Sequence, residues 1–160
     1  MSFKHCISIL LILFALTATS TSAMAADKVR GNFGIGVGQG TTVGFGISGK
    51  LYMGEGFAVQ PVLGIGENRI GFSIDALLEM PALFASGPIE IAWALGVGPG
   101  IGIGDDSFGL AIAGVAGLEF NFSIIPGLPF DLVVEYRPRF AVIPVGLDLV
   151  NFSGHFRVYF

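Results

Sequence analysis

Three side chains near the C-terminus have the types that acyl transfer needs. Ser153 and His155 are two residues apart, so on an extended chain both point the same way. If the final hairpin turns near Val145, Glu135 comes opposite His155 and Arg137 opposite Ser153. A serine, a histidine and a carboxylate in reach of one another form an activated nucleophile. The imidazole takes the hydroxyl proton, and the carboxylate orients the imidazole. The blander reading is that Glu135 and His155 are one ion pair of a structural network. It is preferred because no nucleophile motif surrounds Ser153.

The rest of the charge supports that preference. Arg30, Lys50, Asp75, Glu79, Glu90, Glu119, Asp131, Glu135, Arg137, Arg139, His155 and Arg157 nearly all alternate with apolar residues at period two. In 130–140, Phe130, Leu132, Val134, Tyr136 and Phe140 face one way, and Asp131, Glu135, Arg137 and Arg139 the other. In 88–103, Ile91, Trp93, Leu95, Val97, Ile101 and Ile103 oppose Glu90, Ala92, Ala94 and a series of glycines. Six acidic and six basic or histidine groups on one face of a closed sheet are expected to pair, because buried charges are tolerated when paired and hydrogen-bonded.

Other motifs carry less. Gly44-Phe-Gly46-Ile-Ser-Gly49 matches G-x-G-x-x-G, and with Lys50 it approaches a phosphate-binding loop. Both motifs need a helix N-terminus after the glycines. Here Leu51 stands where Ser or Thr is required, and a turn follows at Gly54-Glu55-Gly56. No metal site is expected: there are two His, and Asp105-Asp106 alone is too few oxygens for calcium. No cofactor is expected.

Eight alternating segments position these groups, near 29–38, 41–53, 57–66, 68–80, 88–103, 108–122, 130–143 and 147–160. Each has the ~9–11 residues that a tilted membrane strand needs, and the count is even. The 160-residue chain is 52% apolar and 12% charged, well below the ~25% charge of soluble domains. Gly or Pro interrupts the long apolar runs, so spanning strands are expected rather than spanning helices.

Residues 1–25 read as a secretory signal peptide: Lys4 and His5, an apolar run from Ile7 to Leu16, then Ala23-Met24-Ala25. The barrel is then expected over 26–160. That stretch lacks Cys, since Cys6 falls in the signal, and carries seven basic against twelve acidic side chains. The acidic balance argues against a nucleic-acid partner. The apolar face must meet lipid, because the other face holds nearly all the charge. Phe57, Phe84, Trp93, Phe120, Phe122, Phe130 and Phe160 are expected to form a girdle at one rim.

The signal segment, the eight amphipathic strands and the terminal Phe160 preceded by Val158 and Phe156 resemble small bacterial outer-membrane β-barrels, the OmpX-like group and the membrane domain of OmpA. The resemblance covers the whole mature chain and rests on pattern. It implies an all-β, eight-stranded antiparallel up-and-down transmembrane barrel in the outer membrane of a Gram-negative-type bacterium, with both termini periplasmic. It also implies contact with outer-membrane lipid and lipopolysaccharide, and recognition of Phe156, Val158 and Phe160 by the barrel assembly machinery. Unlike that group, the outer turns here are short (Gln39–Thr41, Glu67–Asn68, Gly104–Ser107 and Pro144–Gly146), and the longer connections are Pro81–Gly87 and Ser123–Pro129. Some eight-stranded barrels are lipid A deacylases with a Ser/His/Glu set on the lipid-facing surface, whereas here the set points inward.

The functional expectation is a non-enzymatic barrel that supports envelope integrity or surface interaction, with a charge-paired lumen. The alternative is a narrow porin-like pore or a small-ligand or lipid-binding barrel. It would use an outer half lined by Gly34, Gly36, Gly38, Gly44, Gly46, Gly64, Gly98, Gly100 and Gly102.

Overall fold

A computed structural model describes residues 32–160 apart from 43, 55, 67 and 106; the expected signal segment 1–25 and Arg30 lie outside the described residues. The period-two alternation produces strands throughout. They are β1 (Phe33–Gln39), β2 (Phe45–Gly54), β3 (Phe57–Gly66), β4 (Arg69–Ser86), β5 (Ile89–Gly104), β6 (Ser107–Phe122), β7 (Phe130–Tyr136), β8 (Arg139–Ile143), β9 (Gly146–Asp148) and β10 (Phe152–Tyr159). No helix occurs among the described residues.

β1 to β7 pair antiparallel in sequence, β8 pairs with β6 and β9, and β10 pairs with β7 and returns to β1, with Gly34 opposite Tyr159 and Gly38 opposite His155. β7 and β8 are two pieces of one barrel strand beside β6, and β9 and β10 are two pieces of the next. The wall therefore has eight strands and closes. Closure satisfies the edges that an open sheet would leave bare.

The break between β7 and β8 falls at Pro138, which has no N–H to give to a ladder. The register survives it: Tyr136 faces Ala116 and Arg139 faces Ala113. The freed groups find partners, with Gly114 N donating to Pro138 O and Arg137 N to Asn151 O.

Two expectations are corrected. Pro81–Gly87 is not a loop: β4 continues to Ser86 and turns at Gly87, whose φ is +55°. Pro81 is accommodated because the ladder is already irregular between Met80 and Phe84, where β4 bulges against β5. The final hairpin also turns earlier than expected. Arg139 faces Asp148, and beyond the irregular stretch 149–151 Glu135 faces Ser153 rather than His155. In β10 the displacement is two residues, so its side chains keep their faces; in β9 it is three, which brings Asp148 to the side of Arg139.

The faces segregate sharply. Phe45, Ile47, Ile65, Ile74, Leu132, Val134 and Phe156 lie exposed on the outer wall. Lys50, Gln60, Asp75, Glu119, Asp131, Glu135, Arg137 and Arg157 are buried inside. A small apolar cluster of Ala58, Leu77, Ala94 and Val115, with Tyr52 against it, shares the interior with them. Among the described residues the exposed charges are Arg69 and Asp105, both at the rim that carries the β3–β4 and β5–β6 turns, here called the first rim. The proposed girdle residues sit toward the opposite, second rim, where Phe122 stacks on Phe130 at 5.0 Å and Phe130 approaches Phe156 at 5.9 Å.

Candidate functional site

The lumen holds clusters of paired polar groups from inward positions of seven barrel strands. Arg137, at the β7–β8 break, donates to Asp75 of β4 at 2.8 Å and to Glu135 of β7 at 2.7 Å. Arg157 of β10 grips Asp131 of β7 through Nη2 at 2.9 Å and Nε at 3.2 Å. Tyr159 adds its hydroxyl to the same carboxylate at 2.6 Å. Lys50 of β2 pairs with Glu79 at 2.7 Å and with Glu119 of β6. Asn121 donates to Glu90 at 3.0 Å. Arg139 sits higher and half-buried, against Asp148 at 3.2 Å and the carbonyl of Thr41 at 3.1 Å.

Gln60 joins the two main clusters. Its Nε2 donates to Glu135 at 2.9 Å and to Asp75 at 3.2 Å, while its Oε1 accepts from Arg157 at 2.5 Å. An amide supplies donor and acceptor in one head group, which is what bridging a carboxylate pair to a guanidinium requires. The alternation puts Ser48 and Asn121 on the inward face without joining them to the charges, and Gln60, Tyr159 and Thr41 are not singled out by it. Ser48, Asn121 and Tyr159 each lie two residues from an inward charge on their own strand, whereas β3 carries no charge and Gln60 is marked only as the polar residue of its alternation. Buried hydrogen-bond networks of this kind rigidify a core.

The serine–histidine–glutamate set is brought together, but in a different arrangement. Ser153 Oγ donates to Glu135 Oε2 at 2.9 Å, and His155 Nε2 lies 3.0 Å from that same oxygen. The hydroxyl that touches the imidazole is Ser48, at 2.9 Å from Nδ1. The relay geometry therefore runs Glu135–His155–Ser48, all three buried in the lumen. The glycine motif lies on β2 with no helix after it, and Lys50 is committed to carboxylates. Among the described residues no group of three His, Cys, Asp or Glu side chains is placed to hold a metal.

The glycines of the first-rim half serve two ends. Most make room for neighbours. A Cβ at Gly98 would lie 1.9 Å from Asp75 Oδ1, one at Gly38 2.0 Å from His155 Nδ1, and one at Gly100 2.9 Å from Thr41 Cβ. Gly34 packs against Tyr159 near the second rim, a correction to its expected place. The turn between β1 and β2 leaves the wall and enters the lumen. Thr41 N donates to Ser73 at 3.4 Å, and Thr41 Oγ1 accepts from Arg137 at 2.7 Å. Thr42 Oγ1 reaches the carbonyl of Ile101 on β5 at 2.7 Å. This turn roofs the charge network. Above it remains a cup of about 320 Å³ lined by Thr42, Arg69, Gly102, Ser107, Gly109 and Arg139, among others.

Phe156 and Phe160 project outward from the β10 end, with Val158 half-buried between them. Comparison of the chain with family models, curated proteins and solved structures returns no match in any of the three.

Proposed function

We propose that the protein is a non-enzymatic outer-membrane barrel of the OmpX-like kind, a sealed structural element of the envelope whose outer wall meets lipid and lipopolysaccharide. The observation that carries this reading is the network crossing the lumen from Thr41 through Arg137, Asp75, Gln60 and Arg157 to Asp131. It occupies the cross-section that ions would need, in a barrel whose width just fits side chains. The outer wall supports the lipid setting: Arg or Lys on a lipid face costs about 2–4 kcal/mol at the midplane, and the described wall between the rims exposes neither. Short first-rim turns leave little surface for adhesion.

The test is reconstitution in liposomes followed by single-channel recording. Insertion with no steady current is the expected outcome. A reproducible conductance from inserted protein would overturn the sealed barrel, and failure to insert would overturn the membrane assignment.

A second reading is favoured by one observation, the cup beneath the first rim with Gly102, Gly109 and two arginine residues in its lining. In that reading the barrel also holds a small ligand above the plug.

A further inference from the structure

The barrel wall dips over the β1–β2 turn. β1 pairs with β10 only as far as Gly38 opposite His155. Continuing that register would set Thr41 opposite Phe152, but Thr41 lies in the lumen, where its N donates to Ser73. Toward the first rim, the next edge is bare among the described residues. Phe152 pairs with β7 but not with β1, and β9 pairs with β8 alone. On the other side of the turn, Ile65 and Gly66 pair with β4 and not with β2.

The backbone of the first edge is turned toward the dip. Along β10, odd residues give their backbone groups to β7 and even ones to β1, as Tyr159 N on Pro129 O and Phe160 N on Phe33 O show. The N–H and C=O of Phe152 therefore point where β1 is missing. The side chains are equally uncovered. Val145 and Val150 are the most exposed large apolar residues described, at 81% and 79%, with Ile65 at 67% and Leu147 at 66%. Hydrocarbon does not tolerate an open sheet edge, because backbone groups find no water there.

The dip has two kinds of lining. A notch of about 250 Å³ beside Phe152 is lined by Gln39, Thr41, Thr42, Asn151 and Ser153, together with Arg139, which is paired to Asp148. The outer side is flanked by exposed Phe45, Val150 and Phe152. Uncharged polar groups within and apolar groups without are what a wall strand of this barrel meets on its two faces. A second copy of the chain does not fit the edge. Copies inserted the same way are related by an axis along the membrane normal, so strands tilted by about 35–45° cross at about 70–90°, which forbids a ladder.

We infer that the dip accepts an extended segment of another polypeptide, which adds as a strand to the edge formed by Phe152 and β9. Its side chains alternate, apolar toward lipid and uncharged polar toward the lumen. The inference rests on the membrane reading above.

The purified protein in phosphatidylcholine vesicles is titrated into a dansyl-labelled peptide of alternating Thr and Val, and binding is read as the rise in dansyl anisotropy over protein-free vesicles. The control is the same peptide N-methylated at two adjacent central residues, which blocks both of its edges. F152P removes an N–H that points into the dip and none that β7 uses. The expected result is saturable binding of the plain peptide, weakened at least tenfold by N-methylation and by F152P. Equal binding of the two peptides, or undiminished binding in a folded F152P, would each overturn the inference. Where F152P does not fold, the two peptides on the parent chain decide alone. Vesicle flotation on the same samples separates the two failures. Protein that stays out of the vesicles defeats the membrane reading and this inference together, whereas inserted protein with no saturable binding defeats this inference alone.

Discussion

The hydroxyl of Thr42 donates to the backbone carbonyl of Ile101 at 2.7 Å, across the full width of the barrel. This bond ties the β1–β2 turn to the far wall, and with it the roof of the charge network. T42V removes the donor at nearly constant shape. The expected cost is about 1 kcal/mol, the worth of one hydrogen bond. Urea unfolding followed by the fluorescence of the single tryptophan, Trp93, measures it. An unchanged midpoint would show that the turn is held by Thr41 alone.

Arg137 is the centre of the plug, bonded to Asp75, Glu135 and Thr41 at once. Replacing it with Ala empties the middle of the lumen and leaves two carboxylates facing each other. R137A is expected to show cation-selective current steps in planar bilayers where the parent chain is silent. A silent, correctly inserted R137A would mean that the remaining groups close the lumen unaided.

Arg157 and Asp131 form a two-pronged buried pair, further held by Tyr159. Breaking one partner of a buried pair leaves an uncompensated charge, which costs about 3–5 kcal/mol. R157M is expected to lose that much in the same unfolding assay. R157K keeps the charge but cannot reproduce the guanidinium fork, so it recovers only part of the loss. Full recovery by Lys would show that charge matters here and geometry does not.

Gly98 and Gly44 are expected to respond oppositely to the same change. A Cβ at Gly98 meets Asp75 Oδ1 at 1.9 Å and the Ile74 carbonyl at 2.7 Å, so G98A must displace the network or the backbone. Its expected cost is about 1–3 kcal/mol, as for other overpacked sites. G44A meets nothing and should stay within about 0.5 kcal/mol of the parent. Equal effects at the two positions would contradict the interior placement of Gly98.

The Glu135–His155–Ser48 relay sits inside the packed lumen rather than on the wall. Lipid A from cells expressing the parent chain, S48A or S153A is expected to have identical acyl-chain content by mass spectrometry. Loss of an acyl chain with the parent but not with S48A would make the barrel a hydrolase and identify its nucleophile.

The amino-acid order by itself determined which face the residues of the long strands take. Alternation is a local property of extended chain, and it survives a two-residue change of register. Lys50, Asp75, Glu119, Asp131, Glu135, Arg137, His155 and Arg157 were therefore legible as interior, and the strand number was legible from the spacing of turn residues. Partner and height were not. Glu135 meets Ser153 rather than facing His155 because the last hairpin turns at Pro144-Val145 and the strand slips once more at 149–151. Those offsets are settled only when the sheet closes on itself. The tertiary structure alone made Gln60 the link between clusters, since its three partners lie on β4, β7 and β10. It alone carried the Thr41–Thr42 turn across the lumen to Ser73 and Ile101, because a short polar turn has no periodicity to reveal its path. Closure decided which carbonyls and guanidinium groups stood within its reach.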